Sequence, residues 1–203
     1  MVFRTVRWVV AAAAVALMGL TLVGCGVSGR VQLTSNGSGT TIGCSPTEVA
    51  YFSTDVNTAD VYLTDLPRRA LEPNADLKGV SGQFTHLHLF IDPMAGSTPI
   101  ANSACSATVR HVVVADGRVG VYGGGGFLDP SSAPGGRVLG GKIRDATVRL
   151  ISSSPDFVDR LGPSRFDAKF RAPRDDAKAK SLGARLRTIL ELAPPPAVKE
   201  PVR

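Results

Sequence analysis

Three histidines, His86, His88 and His111, are the only imidazoles in a chain of 203 residues, and no other group is better suited by type and spacing to chemistry. His86 and His88 fall in Thr85–Asp92, where Leu87, Leu89 and Ile91 alternate with His86, His88, Phe90 and Asp92. Strand side chains repeat every two residues, so both imidazoles share the face opposite the aliphatic set. His111 stands in the next alternating run, opposite the face of Val112 and Val114. If the two strands are neighbours, three nitrogens converge and leave a coordination position open. That arrangement suits catalytic zinc or copper, with Asp92 or Tyr122 close enough to matter. The plainer alternative is three histidines on a surface or rim.

Other candidate sites are weaker. Asp55, Asn57 and Asp60 offer oxygen to calcium, but Asp60 stands where the loop glycine belongs and Leu66 where the bidentate glutamate belongs, which favours a turn. The run Gly123–Gly126 is followed by no Lys-Ser/Thr pair and opens no expected helix, so a mobile connection fits better than a phosphate cradle. Gly-x-Ser-x-Gly, Ser-x-x-Lys and His-Glu-x-x-His do not occur. A net charge of +6 suits an anionic surface, but no basic patch interleaved with aromatics argues for nucleic acid.

The elements that must position these residues are mainly strands. Val49–Thr54 and Asp60–Thr64 are short and rich in β-branched and aromatic residues, with Asp55, Asn57 and Thr58 between them. Pro67–Gly82 predicts a long connection holding a helical turn at most. Pro93 ends the strand of His86 and His88. Ala107–Ala115 and Arg118–Gly123 flank Asp116-Gly117, a two-residue hairpin loop that predicts Ala115 opposite Arg118, Val113 opposite Gly120 and His111 opposite Tyr122. Val112, Val114, Val119 and Val121 then share a core face, with His111, Arg118 and Tyr122 away from it.

Lys142–Ser152 and Arg165–Arg171 alternate again, the latter with Phe166, Ala168 and Phe170 inward. Ser154-Pro155 predicts a capped helical turn before Gly162-Pro163. A last helix is expected from about Arg174 to Leu192, with Asp175 and Asp176 in its first turn and Leu182, Leu186, Ile189 and Leu190 on one side. Its basic side chains form a solvated face or rest on anionic lipid. Short strands without an alternating β-α rhythm predict an antiparallel β-sandwich or curved sheet, with the C-terminal helix packed on it.

The N-terminus supplies a location. Arg4 and Arg7 precede an apolar run from Trp8 to Val23, whose end forms the stretch Leu22-Val23-Gly24-Cys25. Sixteen residues reach about 24 Å, short of a hydrocarbon core of about 30 Å, so a cleaved signal fits better than a membrane span. The Leu22–Cys25 stretch resembles the lipobox of bacterial lipoproteins, whereas a simple Ala-x-Ala site is missing near the end of the run. The resemblance implies cleavage after Gly24, a lipid on Cys25 and stable membrane attachment through several acyl chains. Gly26, where an aspartate commonly retains such proteins in the inner membrane, implies the outer membrane facing the periplasm if the source has two membranes.

With Cys25 committed to lipid, Cys44 and Cys105 are the only thiols left to pair, and a disulfide persists outside the cytoplasm. Two buried thiols are the alternative, and no C-x-x-C supports redox chemistry. The expected organisation is a signal peptide over 1–24, a lipidated N-terminus and flexible tether over 25–43 with Val31–Thr34 as a possible short strand, one mainly-β domain over 44–192, and a Pro-rich disordered tail over 193–203. The corresponding function is a non-enzymatic envelope lipoprotein that binds an envelope protein or polysaccharide, or serves structurally. The alternative is a metal-dependent enzyme or metal carrier using the histidines.

Overall fold

The structure, a computed structural model, describes residues 28–91 and 105–195. The expected signal peptide, Cys25, Asp92 and most of the C-terminal tail lie outside them. Nine strands form one antiparallel sheet: β1 (Ser28–Ser35), β2 (Thr41–Cys44), β3 (Glu48–Phe52), β4 (Thr58–Thr64), β5 (Gly82–Ile91), β6 (Cys105–Ala115), β7 (Arg118–Pro130), β8 (Val138–Ser153) and β9 (Ser164–Pro173). Their spatial order is β2-β1-β9-β8-β7-β6-β5-β4-β3. The sheet curls into a half-barrel, and the chain just after β9 meets β3, where Asp175 N donates to the Tyr51 carbonyl at 3.1 Å. Two helices complete the fold, the single turn α1 (Arg68–Leu71) and the C-terminal α2 (Asp176–Glu191).

The core lies on both faces of the sheet. Inside the curl, Val31, Leu33, Tyr51, Leu63, Leu87, Leu89, Val109, Phe166 and Phe170 form one buried cluster. On the outer face, Tyr62, Phe84, Val112, Val114, Val119 and Val121 are covered together with Ala179, Leu182, Leu186 and Ile189 of α2. Antiparallel sheets often leave one face to water, but a helix laid on that face buries it as well. Asp175 caps α2 by accepting from Lys178 N at 2.9 Å, and Asp176 occupies its first turn.

The Asp-Gly hairpin forms in the expected register, with Ala115 opposite Arg118, Val113 opposite Gly120 and His111 opposite Tyr122. Asp116 and Gly117 both take positive φ, 54° and 81°, as a two-residue loop of this kind requires. Phe166, Ala168 and Phe170 point inward and are buried, while Arg165, Lys169 and Arg171 stay outside.

Several expectations are overturned. The tether over 25–43 is not a tether from Ser28 onward. Eight residues of β1 pair with β9, and Val31 and Leu33 are fully buried, so the apolar pair outweighs the flexible composition around it. Gly123–Gly126 is no mobile connection but the middle of β7, where β8 approaches so closely that a Cβ on Gly124 would collide with the Thr147 carbonyl. Ser154 caps no helix: its Oγ accepts from Val119 N at 3.0 Å and its N–H bonds to the Val119 carbonyl, which extends the β7–β8 edge.

The Cys44–Cys105 disulfide is not seen, and Cys44 is a free thiol. Cys44 lies within the field of Asp65, whose carboxylate accepts from Gln83 N near the start of β5. Cys105 instead pairs with Ile91 at the other end of that strand. At about 3.3 Å per residue the two ends lie far beyond the ~7 Å that a disulfide spans between Cα atoms. Burial, with Asp65 adding to it, pushes the Cys44 thiol up to about 12, which leaves it protonated and inert.

A candidate metal-ligand site on the outer face

The three histidines do not converge. His111 is fully buried inside the curl, against Phe166. Its Nδ1 shares a hydrogen bond of 2.9 Å with the Thr85 hydroxyl, while its Nε2 has no partner among the described residues. Burial pushes its imidazole down to about 4, because a charge there would lose its hydration. Tyr122, expected beside it on an open face, is also inside, with its hydroxyl donating to Asp159 at 2.6 Å. The expectation that His111 joins His86 and His88 fails on strand parity: His111 pairs with Thr85, on the interior side of β5.

His86 and His88 stand on the outer side of β5 and face β4. There Asp60 pairs with His88, and Tyr62 with His86. One oxygen, Asp60 Oδ1, lies 2.7 Å from His86 Nε2 and 2.8 Å from His88 Nδ1. The side chains of Asp60, His86 and His88 are 16%, 18% and 34% exposed, so water reaches a site that is otherwise sheltered. Burial alone would raise the Asp60 carboxyl, but its hydrogen bonds with the two imidazoles and their electrostatic attraction outweigh it and hold the group below the ordinary carboxylate range.

Aromatic neighbours fix both rings. His86 stacks on Tyr62 with centroids 4.7 Å apart and planes 8° from parallel, and His88 meets Phe90 edge-on at 4.5 Å. Across β6, Arg110 stands opposite His86 and Thr108 opposite His88, both exposed. The three ligand atoms lie within 4.8 Å of one another.

Sequence reasoning therefore had two of the three residues and missed Asp60. Its only signal was position: Asp60 is the one charged residue of β4, and a sheltered carboxylate needs a partner. The Asp55–Asp60 segment forms a turn, with Asp55 Oδ1 accepting from Asn57 N and Thr58 N at 2.7 Å each.

Sequence reasoning also missed Arg185, expected on a solvated face of α2 but almost fully buried. Its guanidinium donates to the Ala70 and Ala75 carbonyls at 2.7 Å each, which pins the α1 segment beneath the helix. Comparison with protein-family models, with curated proteins and with solved structures finds no match to this chain.

Proposed function

We propose that this chain is a lipid-anchored envelope protein, held to a membrane through Cys25, whose β domain sits against the headgroups and serves as a non-enzymatic binding or structural module. The lipobox-like Leu22-Val23-Gly24-Cys25 supports the anchor. The observation that carries the reading further is the start of β1 at Ser28, three residues beyond Cys25. A chain spans at most about 3.6 Å per residue, so the start of β1 stands within roughly 11 Å of the Cys25 Cα.

The side chains beside that start suit an anionic surface. Arg30 of β1, Lys169 of β9 and Lys142 of β8 lie directly opposite one another across three strands, with Arg171 two residues along β9 and opposite Ser28. None of the four forms an ion pair among the described residues. The row meets a carboxylate at Asp129, opposite Lys142 on β7.

Like charges opposed in a sheet cost stability, whereas each cation near an anionic bilayer gains about 1 kcal/mol. Arg30, Lys169, Arg171, Ser131 and Ser132 also line an open cleft of about 570 Å³, which suits an anionic headgroup or an envelope polysaccharide. The lipobox resemblance, with Gly26 after the cysteine, supports outer-membrane placement facing the periplasm in a source with two membranes.

The test is the Cys25→Ser chain expressed in its own envelope. Release from the membrane fraction, with loss of the acylated N-terminal peptide from its mass spectrum, is expected. A serine variant that stays in the membrane at unchanged mass overturns the anchor.

A further inference from the structure

We propose that Asp60, His86 and His88 form a binding site for an imidazole-preferring transition-metal dication, zinc(II) or copper(II), with one coordination position open to solvent. This goes beyond membrane attachment and does not depend on it.

The donor set comes first. Two imidazole nitrogens and one carboxylate oxygen suit zinc and copper, whereas calcium and magnesium prefer oxygen alone. Three protein ligands with a fourth position open is the form of zinc sites that exchange ligands, rather than that of closed structural sites.

The geometry follows. Ligands at about 2.0–2.1 Å around a tetrahedral ion stand about 3.3 Å apart. Asp60 Oδ1 now lies 2.7 and 2.8 Å from the two nitrogens. Drawing Asp60 Oδ1 back from both nitrogens by about half an ångström brings those two spacings to the tetrahedral value, a change within the reach of a rotating carboxylate. Neutral imidazoles need lose no proton overall, since each shifts its hydrogen to the other ring nitrogen when the metal takes the first.

The scaffold is suited to holding the ligands. All three stand on paired strands, His86 and His88 two residues apart on one face, so their spacing is set by the ladder rather than by a loop. Tyr62 and Phe90 hold the rings in place on either side. One carboxylate leaves a dication at net +1, and Arg110 opposite His86 adds positive charge nearby. The open position therefore favours water, hydroxide or a small anion.

The experiment uses the full chain purified in detergent, stripped with a chelator and dialysed against zinc(II) alone and then copper(II) alone. Bound metal per chain is read by mass spectrometry, and cobalt(II) loading by visible absorption. One equivalent at micromolar free zinc is expected, with affinity at least tenfold weaker in both Asp60→Asn and His88→Gln at unchanged circular dichroism. His88, the most exposed of the three, decides the matter if Asp60→Asn does not fold. Absence of stoichiometric metal in the wild type, or equal binding by every folded variant, overturns the site.

Discussion

Along β5, Thr85, Leu87 and Leu89 face the interior of the curl, while His86, His88 and Phe90 face outward. The inner face meets His111, an imidazole with one ring nitrogen unpartnered among the described residues and no access to water. The outer face meets Asp60, a carboxylate oxygen that takes two imidazoles at once and stays within reach of solvent. The same residue type is a neutral core side chain on one side and a candidate ligand on the other. Strand parity alone separates the two fates.

The largest expected effect lies on the inner side. Leu87→Ala should cost about 3 kcal/mol in urea unfolding, the usual loss for a fully buried leucine. His88→Ala, one position along, should cost about 1 kcal/mol, since it loses one hydrogen bond to a carboxylate. Equal costs at the two positions would break the comparison.

Acid separates the faces next. His111 titrates at about 4 in the folded chain and near 6.5 when unfolded, so the unfolded state takes up its proton first as pH falls. Stability from this residue is complete above about pH 6.5 and declines towards pH 4, by about 3 kcal/mol in all. Urea midpoints of wild type and His111→Gln at pH 7, 5.5 and 4 check this, and the variant should show a shallower acid loss. A parallel decline in both proteins would remove His111 as its source.

Asp60 acts later in acid. Its carboxyl is held below its unfolded value, so its contribution is present above the unfolded pKa and disappears as pH falls through the folded one, on the acid side of the His111 window. Asp60→Ala should cost about 1–2 kcal/mol at pH 7, because it leaves two imidazoles without their shared acceptor. Thermal unfolding at neutral pH measures it.

The smallest effect has the opposite sign. Lys169→Thr removes the middle of three opposed cations and should stabilise the domain by a few tenths of a kcal/mol at low salt, an advantage that shrinks as salt screens the row. Melting temperatures in low and high salt read this directly.

The Asp116-Gly117 loop was legible because a two-residue turn leaves the flanking strands one register, and the Phe166–Phe170 alternation because charge marks every other position. The assignment of the outer valines to a core face was right, but placing His111 away from any core was not. Alternation tells two faces apart, yet it does not tell whether a helix covers the second. In the sequence Asp60 reads as part of a turn and is not placed beside His88, because β4 and β5 are joined through α1 and a long connection, so no tight turn fixes which residue faces His88. β1 and the glycine run of β7 were obscured by composition: Ser, Thr and Gly read as loop until the partner strand shows what their small size allows.

The seam between β1 and β9 joins Ser28 to Arg171 and Ser35 to Ser164, so nearly the whole domain intervenes between the two partners. Such a pairing closes late, since loop entropy must be overcome before distant strands gain from meeting. The first strand to emerge during synthesis therefore waits for the last. Until β9 arrives, β1 has only the short β2 to pair with, so its other edge stays open while the remainder of the domain is still being delivered.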